Sequence, residues 1–235
     1  MMKKTLLATA LLSASTAALA EFSGNVTVTT DYVFRGISQT DRDPAMQGSL
    51  DYNHESGFYA GLWGSNVSFL EGNSVELDYY AGFGGDLTGG VAYDVGAVYY
   101  DYPGGNLGPG EPDPEYYEIY AGLSGDVGPA TVTGIIWYSP DYYYETGDAF
   151  YYELGAEFGL PADYGLNVHV GYQTIDKAGF FETQEDSYMD WSVGITKSYA
   201  DLDFSLTYSD TDLSTADCGG DICDDTVVFS IGKSL

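Results

Sequence analysis

The sequence predicts an all-β fold, an antiparallel transmembrane β-barrel of about twelve strands, on three observations. The chain opens on an export signal, it is rich in glycine and tyrosine without long apolar runs, and long and short connections alternate between segments of period-two hydropathy.

At the amino terminus, Lys3 and Lys4 precede an apolar run from Leu6 to Leu12, and Ala18 and Ala20 are small residues at the two positions a signal peptidase reads. Residues 1–20 are expected to be a cleaved signal peptide, because Ser13, Ser15 and Thr16 interrupt the run before it reaches the roughly 18 to 20 apolar residues of a spanning helix. Residues 21–235 then form a single barrel domain, since no linker-like stretch divides them.

With 31 Gly, 23 Tyr and 16% aromatic residues, and no later apolar run able to span as a helix, the chain does not have the composition of a helical membrane protein. The formal net charge is −29; without Lys3 and Lys4, five basic residues face 36 acidic ones, a net −31. Such a chain repels nucleic acid; its acidic loops either keep an exported protein soluble or attract cations. Cys218 and Cys223 are expected to form a disulfide that staples one loop, and two cysteines are too few for a closed zinc site, so neither metal nor cofactor is expected.

Twelve segments of alternating character follow the signal. The first, residues 22–34, sets Val26, Val28, Tyr32 and Phe34 on one face; the second, 45–53, is weakly patterned, and the third covers 58–69. The fourth, 75–83, is the clearest: Val75, Leu77, Tyr79, Ala81 and Phe83 alternate with Glu76, Asp78, Tyr80 and Gly82. The fifth, 91–100, and sixth, 116–123, repeat the scheme, the latter placing Tyr117, Ile119, Ala121 and Leu123 against Glu118 and Tyr120. Residues 130–138, 150–158, 166–172, 189–197, 202–208 and 226–234 complete the set.

Alternation alone also fits a soluble sandwich, so the connections decide. With both termini in the periplasm, odd connections become outer loops and even ones tight turns. Residues 35–44, 101–114, 139–148, 175–187 and 209–225 are long and acidic or glycine-rich, whereas 54–57, 125–129, 159–164 and 198–201 are compact; the odd connection 70–74 is the exception. A closed barrel of this kind satisfies every backbone group in hydrocarbon, and its partners are outer-membrane lipid and the barrel-assembly machinery.

If apolar faces meet lipid, then Glu76, Asp78, Asp94, Glu118, Glu153, Glu157 and Asp190 turn toward the lumen. These carboxylates either sit neutralised in a packed interior or line a cation-favouring passage for small solutes. Arg35 is expected at the rim, pairing with an acidic group or touching an anionic lipid headgroup. Lys197 and Lys233 fall at periplasmic ends, where snorkelling places them. The clusters Tyr99, Tyr100 and Tyr102; Tyr116 and Tyr117; Tyr142 to Tyr144; and Phe150, Tyr151 and Tyr152 suit an interfacial girdle, with a sugar track as the alternative. Trp63, Trp137 and Trp191 read as girdle or packing residues. His169 lies on the predicted inner face, yet no serine motif, distinctive carboxylate pair or phosphate loop accompanies it, so no catalytic residue is expected.

The run Asp31-Tyr32-Val33-Phe34-Arg35-Gly36-Ile37-Ser38-Gln39-Thr40, with Pro44 to Gly48, Gly57 to Gly61 and Trp63 to Val67, closely resembles the TorF family of porins, a Gcw_chp-type outer-membrane family. Glu76 to Tyr80 and Val227 to Ser234 fit it too. The resemblance covers the chain after the signal and implies an exported outer-membrane barrel, with no catalytic residue or named substrate. The chain departs from the general barrel pattern by ending in Leu235 rather than an aromatic residue.

Overall fold

Strands with one apolar and one polar face need two solvents, and closing the sheet on itself supplies both. A computed structural model describes residues 21–68, 74–104, 113–177 and 186–235. The signal segment, and parts of the connections at 70–74, 101–114 and 175–187, lie outside those residues. Among the described residues the strands are β1 (Glu21–Thr29), β2 (Val33–Phe34), β3 (Ile37–Ser38), β4 (Ala45–Asn53), β5 (Phe58–Asn66), β6 (Val75–Asp86) and β7 (Val91–Asp101). They continue with β8 (Tyr116–Val127), β9 (Ala130–Ser139), β10 (Ala149–Leu160), β11 (Tyr164–Ile175), β12 (Ser187–Tyr199), β13 (Leu202–Thr211) and β14 (Thr226–Ser234).

Twelve of these close into an antiparallel barrel in chain order, and β2 and β3 form a separate hairpin. Closure is made by β1, which pairs with β14 on one side (Val26 opposite Lys233) and with β4 on the other (Val26 opposite Gly48). The expected fold class is therefore observed. Several strands run past their predicted ends: β6 continues through Gly84, Gly85 and Asp86 opposite β7, and β8 continues to Val127 opposite Ala130. Glycine blurred the alternation there without breaking the ladder. The tight turn between β12 and β13 has only Ala200 and Asp201 between paired ends, both in the left-handed region at φ 54° and 61°.

Side chains obey the two-fold period all round. Val75, Tyr79, Phe83, Val95, Ile119, Leu123, Leu154, Val168, Val193, Leu206 and Phe229 are exposed on the outside, whereas Glu76, Asp94, Glu118, Tyr151, Gln173, Asp190 and Ser230 are buried inside. In water that outer band would be a liability; in hydrocarbon it is the favourable surface. The tyrosine clusters correct the girdle expectation. Tyr99, Tyr117, Phe150 and Tyr152 do face outward, but Tyr100, Tyr102, Tyr116, Tyr142 and Tyr151 are buried within the barrel. Adjacent residues on a strand point to opposite faces, so each Tyr-Tyr pair divides between the two. Trp63 and Trp137 are also interior, packing on Tyr32 and Tyr120 at ring-centroid distances of 5.2 and 4.3 Å. Lys197 instead stays outside at a turn, 4.6 Å over the Tyr164 ring.

Interior rings need room, and inward glycines make it. Gly61, Gly82, Gly96 and Gly171 each face a tyrosine of an adjacent strand, respectively Tyr80, Tyr59, Tyr120 and Tyr151. A Cβ at Gly82 would meet the Tyr59 ring and stand 2.6 Å from the carbonyl oxygen of Val95, which cannot move aside. Gly82→Ala is accordingly expected to destabilise the folded barrel by about 1–3 kcal/mol, the usual cost of overpacking. Gly159→Ala, whose Cβ would meet nothing within 4 Å, should match wild type. The temperature at which the folded band disappears in heat-modifiability electrophoresis measures both.

Candidate functional site

The most densely built region is the barrel mouth, where the first long connection turns inward. Its neck is organised by Asp31. Thr29 Oγ1 donates to the Asp31 backbone carbonyl at 2.8 Å, while Asp31 Oδ1 accepts from Ser38 Oγ at 2.6 Å and Thr40 Oγ1 at 3.0 Å. Burial raises the Asp31 carboxyl above its ordinary range, and the Ser38 and Thr40 hydrogen bonds oppose that rise. The chain thus leaves the wall after Thr29. Tyr32 and Phe34, expected on the lipid-facing side of the first strand, instead point into the barrel, because β1 ends at Thr29 and β2 and β3 fold back as a hairpin.

At the tip, Arg35 and Gly36 have φ of 48° and 81°. Gly36 is required twice over: its backbone is left-handed, and a Cβ would strike the Thr211 methyl group and lie 2.8 Å from Asp190 Cβ. The hairpin is wedged against the β12–β13 wall. Arg35 is consequently not at the rim but inside, 9% exposed, since the hairpin carries it under the mouth. Its Nη1 and Nη2 donate to Glu118 Oε1 and Oε2 at 2.9 and 2.7 Å, and Nη1 also donates to Gln173 Oε1 at 2.8 Å. Tyr100 donates to Glu118 Oε2 at 3.0 Å. The guanidinium carbon lies 4.1 Å from the Tyr151 ring centroid and 4.8 Å from that of Phe34. Bidentate pairing and stacking suit arginine's planar fork, and the low local dielectric makes the pair depend on both members.

The other carboxylates divide by level. Near the hairpin, Glu76 accepts from the Tyr32 hydroxyl at 2.8 Å, and Asp190 accepts from Tyr151 at 3.0 Å and lies 2.9 Å from His169 Nε2. His169 Nε2 also contacts the Tyr151 hydroxyl at 2.9 Å. Elsewhere, Asp94 accepts from Tyr59 at 2.5 Å. Asp78, Glu153 and Glu157 occupy inward positions on β6 and β10 and are only partly buried. Toward the short-turn end many inward positions are small and polar, including Asn25, Thr27, Ser124, Thr131, Thr133, Asn167, Thr196 and Thr207, and are partly exposed, whereas Tyr59 and Asp94 are buried there. The interior is therefore densely packed at the mouth, with small, partly exposed side chains commoner toward the opposite end. Among the described residues no group of three or more His, Cys, Asp or Glu side chains can hold a metal ion. Cys218 and Cys223 are bonded, their Cα atoms 6.2 Å apart.

Gln173, Tyr32, Tyr100 and Tyr151 carry much of this site, and sequence reasoning did not single them out for it. The signal was present for the hairpin: Phe34-Arg35-Gly36-Ile37 is a two-residue turn with glycine between apolar residues.

Removing the guanidinium leaves Glu118 buried without its partner. Arg35→Met is expected to cost about 3–5 kcal/mol, and the double variant Arg35→Met with Glu118→Met less than Arg35→Met alone. Urea unfolding monitored by tryptophan fluorescence measures the cycle.

The fold is similar to that of the NanC porin, with 9% identity and TM-score 0.58 over 90% of this chain and 98% of that one. It is likewise similar to the KdgM porin in complex with disordered oligogalacturonate, with 8% identity and TM-score 0.58 over 91% and 98%. An outer membrane channel from Pseudomonas putida F1 gives 11% identity and TM-score 0.52 over 93% and 96%. At these identities the likeness is one of fold. No curated protein matches the sequence. A family model described as a bacterial protein of unknown function, Gcw_chp, matches residues 13–235.

Proposed function

Because the chain belongs to the Gcw_chp family, whose description assigns no activity, we propose from the barrel itself that it is an outer-membrane channel for small solutes that favours cations. One observation carries the reading: the charge imbalance of the inner face. Glu76, Asp78, Asp94, Glu118, Glu153, Glu157 and Asp190 occupy inward positions, and the interior cation among the described residues is Arg35, with His169 as the neighbouring imidazole. Carboxylates in a low-dielectric lumen concentrate positive ions and exclude negative ones. The export signal expected at residues 1–20 and the apolar outer band agree with an outer-membrane address. No catalytic step is assigned.

The oligogalacturonate named with the KdgM porin is a polycarboxylate, and an acidic inner wall repels it. Substrate class is therefore not carried over from that neighbour. The packed layer around Arg35 supports a second reading, a non-conducting structural barrel, for which the hairpin is a permanent plug.

Planar bilayers under a KCl gradient separate the two. A cation-selective channel gives a reversal potential toward the potassium equilibrium value, and replacing residues 32–39 by a short Gly-Ser turn is expected to raise the single-channel current several-fold. Folded, heat-modifiable protein that passes no current in either form overturns the channel reading.

A further inference from the structure

Nothing in the channel reading uses residues 212–225, yet this connection holds the far end of the hairpin. We propose that the disulfide-bonded loop is a latch on the β2–β3 plug, and that reduction of Cys218–Cys223 by a dithiol releases it. The proposal rests on the channel reading only for its consequence, ion flow; the latch itself is a matter of contacts.

Arg42 is the connecting residue. Its backbone N–H donates to Ser38 Oγ at 2.9 Å, tying it to the end of β3. Its guanidinium donates to the carbonyls of Asp221, Asp224 and Asp225, the last two at 2.8 and 3.3 Å, and lies 3.7 Å from the Asp221 carboxylate. The ion pair is partly exposed and contributes little, so the carbonyl bonds matter more. They require those carbonyls to converge, and convergence needs a fixed loop. The three belong to the short 3-10 turn Asp221–Cys223 and the two residues after it, and that turn ends in the disulfide.

The same loop meets the hairpin's tip through Thr211. Thr211 Oγ1 donates to the Cys223 carbonyl at 2.9 Å and accepts from the Leu213 N–H at 3.1 Å, while the Thr211 methyl group bears on Gly36. Cys223 is fully buried beneath this arrangement. Arg42 thus rests directly on the cross-linked loop, and the hairpin's tip at Gly36 rests on Thr211, the last residue of β13, whose side chain that loop's Cys223 carbonyl holds. Without its cross-link that connection, which lacks a strand ladder of its own, regains backbone freedom, and that freedom favours the released state.

The chemistry balances with the dithiol as reductant. A thiolate of the reagent attacks Cys218 Sγ, the less buried sulfur; the S–S bond breaks, and Cys223 Sγ leaves as a thiolate that takes up a proton. The reagent's second thiolate then displaces Cys218 Sγ, which is also protonated. Two electrons pass to the protein disulfide, and the reagent departs as a cyclic disulfide.

Hydrogen–deuterium exchange on the full chain folded in detergent tests the latch without any current. Dithiothreitol treatment, the Cys218→Ser/Cys223→Ser variant and the Arg42→Ala variant are each expected to speed amide exchange across residues 32–42 by about tenfold or more, with the barrel strands unchanged. The amide of Gln39, which donates to the Tyr32 carbonyl at 2.6 Å, is the reporter within the hairpin. Unchanged exchange at 32–42 in the reduced protein and in Arg42→Ala overturns the proposal, and so does acceleration spread equally over the strands. An opened hairpin with no gain in bilayer current would leave the latch standing and count against the channel.

Discussion

The pairing of β1 with both β14 and β4 is the constraint on which the rest of the molecule depends. A sheet in hydrocarbon cannot leave an edge unpaired, so closure must be complete, and complete closure fixes how much space lies inside. Within that space the inward side chains cannot be chosen independently. Tyrosine rings from one strand lie over glycines of the next, and the hairpin of the first long connection takes what room remains at the mouth. The outward face carries no such demand, and is simply apolar.

Electrostatics within the mouth follows from the scarcity of cations. Arg35 satisfies Glu118 with two hydrogen bonds, reaches Gln173 with a third, and is sandwiched by aromatic rings that tolerate a weakly hydrated cation. Buried ion pairs of this kind contribute less to net stability than to position, because desolvation offsets much of the attraction. Here the position specified is that of a loop against a wall formed by β8 and β11, whose partners in sequence are remote.

Much of the fold was legible because a two-fold period is a local property. Val75 to Phe83 announces which face meets lipid without knowledge of any other strand, and the same parity turns Glu76, Asp94, Glu118 and Asp190 inward. The loop lengths then supplied the topology. The inward turn at Asp31 was not legible in the same way: Tyr32 and Phe34 continue the alternation of β1, and only the hydrogen bonds of Asp31 with Ser38 and Thr40 divert them. The tyrosine pairs were misassigned for a related reason. A cluster in sequence suggests one place, whereas the pleat sends Tyr99 outward and Tyr100 inward. Gln173 carried no chemical signature at all, since an amide becomes part of a site only through what stands opposite it.

The depth of the Arg35 contacts also bears on how the barrel is assembled. Arg35 is separated by 83 residues from Glu118 and by 138 from Gln173. The segment that fills the mouth is made near the start of the chain, but its seat does not exist until most of the wall has formed. Contacts so distant in sequence are slow to form, so Arg35 meets its counter-ion only after the strands that carry Glu118 and Gln173 are in place. Filling the mouth thereby depends on a wall completed from remote parts of the chain, and Glu118 gains its partner only when the first long connection has entered.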